Sequence, residues 1–286
     1  MESFETFWAI HGSLVLTAGI NSLLAISIWL TLACGMLAMA NAAFMGIGAY
    51  ASAILTTTYG LPYPVGLAAG VLVPAAVAFA MGKPTLRLSG VYLAMATLAF
   101  GEVVRITAIN AEGLTGGALG LNGIPPYTQW WHVVLALVAT LIGLHLLRRS
   151  KTGRAFEAIK EDEVAASQMG IDIAGHKLAA FVLGGALAGL AGSLSAHMTF
   201  FIGPNEFGFD RGVEILTMAI LGGVEGLLGP VIGAVLLTLL PELLRGLNEY
   251  RLIVNGFILV LVVLFLPGGI WRPRAMKSLF GGRAAA

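Results

Sequence analysis

The sequence has very little cysteine and no clustered histidine. Its one cysteine, Cys34, stands inside an apolar run, so the chain cannot build a disulfide framework or a thiolate metal site of its own. The five histidines are scattered, with no pair four residues apart and no His-Glu-x-x-His spacing. We therefore predict no metal site, and we expect Cys34 to be a packing residue.

Charged residues are also scarce, at 11% of the chain against 58% hydrophobic residues and a mean hydropathy of +0.89. A soluble domain carries about a quarter charged residues. From Thr6 to Gly82 there is no Asp, Glu, Lys or Arg, and an apolar run of about 20 residues already crosses a bilayer. The composition therefore predicts a membrane protein. The formal net charge of +1 argues against a nucleic-acid partner.

Glycine, proline and charged residues divide the chain into apolar segments. The first long run divides near Ala40-Asn41 and near Tyr59–Pro64, and the last apolar segment is Leu252–Trp271. We count about nine crossings, within a range of eight to ten. The prediction is an all-α polytopic membrane protein with a single domain over residues 1–286, a loop at 148–177 and a C-terminal tail at 272–286.

Two of the predicted crossings, Val213–Val224 and Leu227–Leu240, are short. The glycine-rich stretch Gly222–Gly226 and the pair Gly229-Pro230 separate them. Helices of this length do not cross an untilted bilayer comfortably, and broken helices are common where a transport path needs exposed backbone. We therefore expect Gly/Pro-broken segments here.

The distribution of basic residues predicts the orientation, because Lys and Arg stay in the cytoplasm. With the 148–177 loop inside, only four of the 16 Lys and Arg residues lie outside, namely Arg105, Arg211, Arg245 and Arg251. An odd number of crossings then places the N-terminus in the periplasm and the C-terminus in the cytoplasm.

The loop contains a charged, helix-favouring stretch that is unusual in so apolar a chain. Asp162 is a good N-cap and Gly170 a good C′ residue, so Glu163–Met169 is predicted to form a short helix. Its apolar residues make a small surface that cannot reach the membrane. The loop either provides a docking surface for another protein or is a solvated connection, and the residue pattern alone leaves both open.

The stretch Glu163–Gly170 resembles the cytoplasmic "EAA" loop of binding-protein-dependent ABC importer permeases, with one residue between the Glu and the alanine pair. The wider sequence resembles the LivM-type permeases of branched-chain amino-acid importers over roughly Asn21 to Arg272. The stretches that carry this resemblance are Lys151–Ala166, Met169–Ile171, Lys177–Ser193, Thr115–Pro125, Leu221–Ala234 and Leu266–Ile270.

The resemblance implies an ABC importer permease fold in a bacterial inner membrane. It also implies four partner chains: a second, LivH-type permease, two cytoplasmic ATPase subunits and a periplasmic solute-binding protein. The sequence contains no Gly-x-x-x-x-Gly-Lys-Ser/Thr phosphate loop. We therefore expect no cofactor in this chain, with ATP and Mg²⁺ bound by the ATPases, and no enzymatic activity of its own.

The resemblance assigns candidate coupling residues, and residue type assigns candidates for the translocation path. Residues expected to couple the chain to the ATPase are Gly153, Arg154, Glu161, Asp162, Glu163, Ala165, Ala166, Met169 and Gly170. Candidates for the translocation path are the polar residues of the apolar segments, namely Asn21, Asn41, Glu102, Arg105 and Glu225.

Each path candidate has a second interpretation. Glu102 and Arg105 are three residues apart, toward the outer end of the fourth crossing, and are expected to pair with each other. Asn21 and Asn41 are equally able to hold helices together. Glu225 stands where the family usually has glycine, and we favour a solvated position near the inner interface.

The importer is expected to carry branched-chain amino acids. Relatives of the family also move urea, short amides and aromatic acids, so these stay alternatives. An ion-coupled secondary transporter is a less favoured alternative, because the apolar segments offer few carboxylates for a coupling ion. A membrane-embedded enzyme is disfavoured because the sequence lacks a nucleophile–base pair.

Overall fold

A computed structural model describes residues 2–243 and 269–270, with side chains described at 12–242 and 269–270. The described chain is mainly helical. Its helices are α1 (Glu2–Ala33), α2 (Asn41–Thr57), α3 (Tyr63–Thr85), α4 (Gly90–Asn110), α5 (Glu112–Thr115), α6 (Trp130–Arg149), α7 (Lys151–Glu161), α8 (Glu163–Gln168), α9 (Ile173–Thr199), α10 (Phe209–Gly222) and α11 (Gly229–Leu243). Two short antiparallel strands, β1 (Leu121–Asn122) and β2 (Phe201–Ile202), pair at one end.

Five helical segments are long and apolar enough to cross a membrane: Gly12–Ala33, Tyr63–Thr85, Gly90–Asn110, Trp130–Arg149 and Ile173–Thr199. The helices α2, α10 and α11 are shorter, with 17, 14 and 15 residues. These eight helices occupy the first eight predicted crossings. The ninth, Leu252–Trp271, lies almost wholly outside the described residues, so the count of nine stays a prediction.

The first residue of α2 lies beside the interior of α1 rather than beside its end, and α2 is correspondingly short. The side-chain amide of Asn41, its first residue, donates to the hydroxyl of Ser27 at 2.8 Å, and Ser27 lies six residues before the end of α1. The segment leading to it is mostly buried and is non-helical, and the backbone amide of Met39 donates to Thr97 Oγ1 at 2.9 Å. Irregular backbone is tolerated at membrane depth only where protein or a water-filled cavity surrounds it. The segment before α2 is packed against protein in this way.

Glycine and other small residues form the contacts between α2, α3 and α9. The buried residues of α3 recur every fourth position: Gly66, Gly70, Pro74, Ala78 and Gly82. A Cβ on Gly189 of α9 would collide with the Gly70 carbonyl, and a Cβ on Gly48 of α2 would collide with Gly189. Small residues at such spacing let helix backbones approach closely in a bilayer. The small residues of α3 and α9 therefore serve packing.

The turn between α10 and α11 is also closed by glycines. A Cβ on Gly222 would meet the backbone of Gly229, and one on Gly233 would meet the Met218 carbonyl. Gly223 adopts φ +106, a conformation that other residues rarely take. The expected Gly/Pro-broken pair of short helices is therefore present as a tight hairpin.

Candidate coupling site and membrane path

A sharp turn joins α6 to the charged loop. The Ser150 hydroxyl accepts from the backbone amide of Gly153 at 3.3 Å, as an N-cap does at the start of α7. Gly153 lies so close to the Leu147 carbonyl and to Arg148 that a Cβ has no room. Arg154 Nη1 donates to the Arg149 carbonyl at 3.0 Å, where a cation suits the end of α6. Gly153 and Arg154 thus fix the direction of α7.

One face of α7 packs against the end of α1 and against α6. Phe156 and Ile159 are buried on this face, as their spacing of three residues predicts. Gly35, just after α1, has no space for a Cβ without pressing on the backbone of Lys160. The exposed Glu157 contacts Arg148 at 3.5 Å, and this surface pair contributes little. The helix α7 is therefore a fixed support for α8.

The helix α8 begins and ends where its capping residues predict. The carboxylate of Asp162 accepts hydrogen bonds from the amides of Val164 at 2.8 Å and Ala165 at 3.0 Å. Gly170 has φ +78, the left-handed conformation expected of a C′ glycine. The helix ends at Gln168, one residue before the predicted Met169, a difference within the usual uncertainty of helix ends.

The apolar residues of α8 divide between two sides. Ala166 is buried, whereas Val164 is 71% and Met169 is 83% exposed. Ala165 is exposed beside them. The capped helix thus leaves two bulky apolar side chains exposed, where a protein partner can reach them. The predicted exposed apolar side chains are therefore present, except that Ala166 packs against the rest of the chain.

Glu163 makes an ion pair that sequence reasoning missed. Its Oε1 accepts from Nζ of Lys177 at 2.5 Å, and Lys177 belongs to the first turns of α9 and is only 8% exposed. The sequence pattern predicts contact of Glu163 with a partner, but the structure directs it toward its own chain. The available signal was Lys177 itself, a single cation at the start of an otherwise apolar helix.

Cys34 lies near this ion pair, at the turn after α1. Burial raises the pKa of its thiol to about 12, while the positive charge of Lys177 partly opposes that effect. A buried neutral thiol is a packing group rather than a reactive one, as the sequence suggested.

A cavity of about 380 Å³ opens between α1, α6, α7 and the α10–α11 turn. Its walls include Trp29, Phe156 and the two acids Glu161 and Glu225. The indole of Trp29 donates to the Val224 carbonyl at 2.9 Å, which holds the α10–α11 turn against α1. Glu225 is exposed at this cavity. That position fits the expected solvated carboxylate and places Glu225 beside the coupling loop.

The two asparagines connect helices. Asn41 is buried and its bond to Ser27 joins α2 to α1, while Asn21 donates to Thr238 Oγ1 of α11 at 2.9 Å. The Oδ1 of Asn21 also accepts from Arg211 at 2.7 Å. Both asparagines therefore join helices, and Asn21 in addition accepts a hydrogen bond from the guanidinium group of Arg211 on α10.

The predicted pair of Glu102 and Arg105 is present, with Arg105 Nε 2.8 Å from the carboxylate. Arg105 Nη1 also donates to Asn205 Oδ1 at 3.1 Å. The pair lies deeper than expected, because Phe100 is the midpoint of α4 and Glu102 is only two residues beyond it. Of the five path candidates, the structure brings Glu102 and Arg105 together and leaves Asn41 and Glu225 in separate places.

Buried polar side chains of α2 and α9 contact one another, and the sequence analysis did not predict this contact. Ser193 donates to Ser52 Oγ at 2.7 Å, and the ring of His197 contacts Thr56 Oγ1 at 3.0 Å and the Ser193 carbonyl at 2.9 Å. His197 is fully buried. A histidine among apolar residues gave no sequence signal, since its partner Thr56 lies 141 residues away.

The glycine-rich stretch after α4 is held in one conformation. Thr115 Oγ1 donates to the Ala108 carbonyl at 2.6 Å, and β1 pairs with β2 beyond α9. Among the described residues, no group of three or more His, Cys, Asp or Glu side chains is arranged to hold a metal ion.

Comparison with known proteins assigns the family. Residues 11–263 match the family model described as "Branched-chain amino acid transport system / permease component". The chain belongs to this permease family. It is 33% identical over 93% of its length to the permease LivM of Salmonella typhimurium, covering 68% of that protein. LivH of Escherichia coli is 35% identical over 52% of this chain and 48% of its own.

A third relative, the L-arabinose ABC transporter permease AraH of Azospirillum brasilense, is 28% identical over 92% of this chain and 81% of its own. No solved structure matches the chain. Membership of the permease family agrees with the resemblance drawn from the charged loop.

Proposed function

We propose that this chain is the transmembrane permease subunit of an ATP-driven, binding-protein-dependent importer of branched-chain amino acids. Its family membership and the names of LivM and LivH support the transport role and the cargo. The structural observation that carries the proposal is α8, a capped helix that holds Val164 and Met169 in the open, away from the membrane-spanning helices.

The proposed complex has a second permease, two ATPases and a solute-binding protein. The absence of a phosphate loop from the sequence supports ATP and Mg²⁺ binding on separate ATPase chains. The charge bias of the loops supports a bacterial inner-membrane protein with α8 in the cytoplasm, a periplasmic N-terminus and a cytoplasmic C-terminus. In this orientation α8 faces the ATPases.

The mechanism begins when the ATPase contacts the exposed side of α8. We propose that Val164, Ala165 and Met169 enter a cleft of the ATPase, and that Asp162 and Gly170 keep the helix rigid enough to be displaced as a unit. The displacement then reaches α9 through Glu163 and Lys177. Because α9 packs along α2 and α3, it moves the permease between outward- and inward-facing states.

A second candidate cargo is another small polar solute carried by the same architecture. The observation that favours it is the likeness to AraH, whose name assigns it L-arabinose and which aligns with 92% of this chain. Urea, short amides and aromatic acids are further candidates. The coupling geometry of α8 is the same for each, since cargo does not contact it.

The test is uptake by the reconstituted complex. The chain is co-expressed with a second permease, two ATPases and a binding protein of the same importer family, and proteoliposomes are assayed for uptake of radiolabelled leucine in the presence of ATP. We expect uptake that requires both ATP and the binding protein. Competition by unlabelled leucine, urea, benzoate and L-arabinose identifies the cargo. Uptake by this chain alone, driven by an ion gradient without ATP, would overturn the proposal.

A further inference from the structure

Two arginines of the chain are held at membrane depth. Arg211 Nη2 bonds to Asn21, and Asn21 lies within two residues of the midpoint of the span Gly12–Ala33. Arg105 pairs with Glu102, two residues past the midpoint of α4. At 1.5 Å per residue, both anchor points lie within about 3 Å of the middle of their spans. The hydrocarbon core is about 30 Å thick, so these groups are well inside it.

These arginines belong to a larger polar belt, which we define as Glu102, Arg105, Asn205, Glu206, Asp210, Arg211 and Glu214. Glu102 and Arg105 lie on α4, and the other members lie between 205 and 214; Arg105 Nη1 connects the two groups by donating to Asn205. Four carboxylates and two guanidinium groups give the belt an acidic excess. The ion pair of Arg211 with Glu214 closes at 2.6 Å.

The polar belt lies on the surface of the described chain. The side chain of Glu214 is 49% exposed and that of Glu102 is 40% exposed. Asn205, Glu206 and Asp210 are exposed as well. The belt therefore faces outward from the bundle at the level of the hydrocarbon.

Lipid is not an acceptable neighbour for this surface, because each charged group at the bilayer centre costs about 2.5–3.5 kcal/mol on insertion scales. The last predicted crossing, Leu252–Trp271, contains no Asp, Glu, Lys or Arg and so supplies no counter-charge. The belt consequently needs water or further polar groups beside it.

We infer that the polar belt is the face by which this chain meets the second permease subunit, across a water-filled path. This inference rests on the proposed function, which supplies that second permease. The acidic excess suits a path for solutes with an ammonium group and favours a partner with basic or polar residues at the same depth. Apolar faces, such as the exposed side of α6 at Val138, remain for lipid.

The test compares two apolar residues at matched depth, so that the belt itself stays intact. Val213 lies on α10 between Asp210 and Glu214 and is 37% exposed. Val138 lies within two residues of the midpoint of α6 and is 48% exposed. Each is replaced by the photoreactive residue benzoylphenylalanine in the complete complex, with an affinity tag on the second permease. We expect the Val213 position to cross-link to the tagged permease and the Val138 position not to.

A second measurement reports water. In a Cys34→Ser background, V213C and V138C are treated with a charged methanethiosulfonate reagent in membranes opened to both sides. We expect V213C to react at least about tenfold faster, because a thiolate forms in water and not in hydrocarbon. Equal rates, or cross-links from Val213 only to lipid or to its own chain, would overturn the inference. Leucine uptake by the same complexes separates this outcome from a failure of the proposed function.

Discussion

The ion pair between Glu163 and Lys177 predicts an asymmetric response to mutation. Lys177 is 8% exposed and depends on Glu163, whereas the side chain of Glu163 is 46% exposed. In Glu163→Ala the ammonium group stays buried without its counter-charge, and we expect a loss of about 3 kcal/mol in the free energy of unfolding, the low end for a buried pair because Glu163 is itself partly exposed. In Lys177→Met the freed carboxylate turns to water and the methionine fills the space, so the loss is expected to stay below about 1 kcal/mol.

The assay combines stability with transport. Unfolding of the purified complex in SDS measures stability, and proteoliposomes measure leucine uptake per ATP hydrolysed. Both variants are expected to hydrolyse ATP while transporting less per ATP, because α8 is no longer tied to α9. A purely structural role of the pair would lower both activities together with the amount of folded complex.

The double variant Glu163→Ala/Lys177→Met provides the control. It removes the buried charge together with its partner, so it should be more stable than Glu163→Ala alone while staying uncoupled. Strictly additive losses, or a Lys177→Met variant less stable than Glu163→Ala, would refute the reasoning. Wild-type transport per ATP in both single variants would show that the pair does not carry the displacement.

Three more outcomes are expected from the contacts of single residues. Met169→Asp should abolish stimulation of ATP hydrolysis by binding protein without unfolding the permease, since Met169 is 83% exposed, and Ser167→Asp, in the last turn of α8, is the control. Gly189→Leu should prevent accumulation of folded protein in membranes, measured by size-exclusion chromatography, because its Cβ position collides with the Gly70 carbonyl. Because the pKa of Cys34 is raised to about 12, its thiol stays neutral from pH 7 to about pH 10, and maleimide should label it only after denaturation.

The sequence was most informative where local chemistry decides the structure. Asp162 and Gly170 set the limits of α8 because capping depends on neighbouring backbone groups. The break near Ala40-Asn41 and the glycine-separated helices α10 and α11 arise from the same kind of local signal. Exposed and buried sides of α8 were harder to predict, since six residues allow only about one turn and a half of periodicity.

Long-range pairings lay beyond the sequence. Lys177 pairs with a residue 14 positions away, Arg211 reaches Asn21 over 190 positions, and His197 contacts Thr56 over 141. Each depends on which helices become neighbours, and hydropathy determines only which segments enter the membrane. For the same reason the charge count places Arg211 outside, although the structure joins it to the middle of α1.

The interlocked glycine contacts of α2, α3 and α9 limit how this protein can change shape. Where carbonyl oxygens press against α-carbons, no side chain is available to rotate and absorb a sliding motion. We therefore expect α2, α3 and α9 to move together as one rigid body. Opening and closing must then take place at their borders, in the hairpin of α10 and α11 and in the non-helical segment before α2.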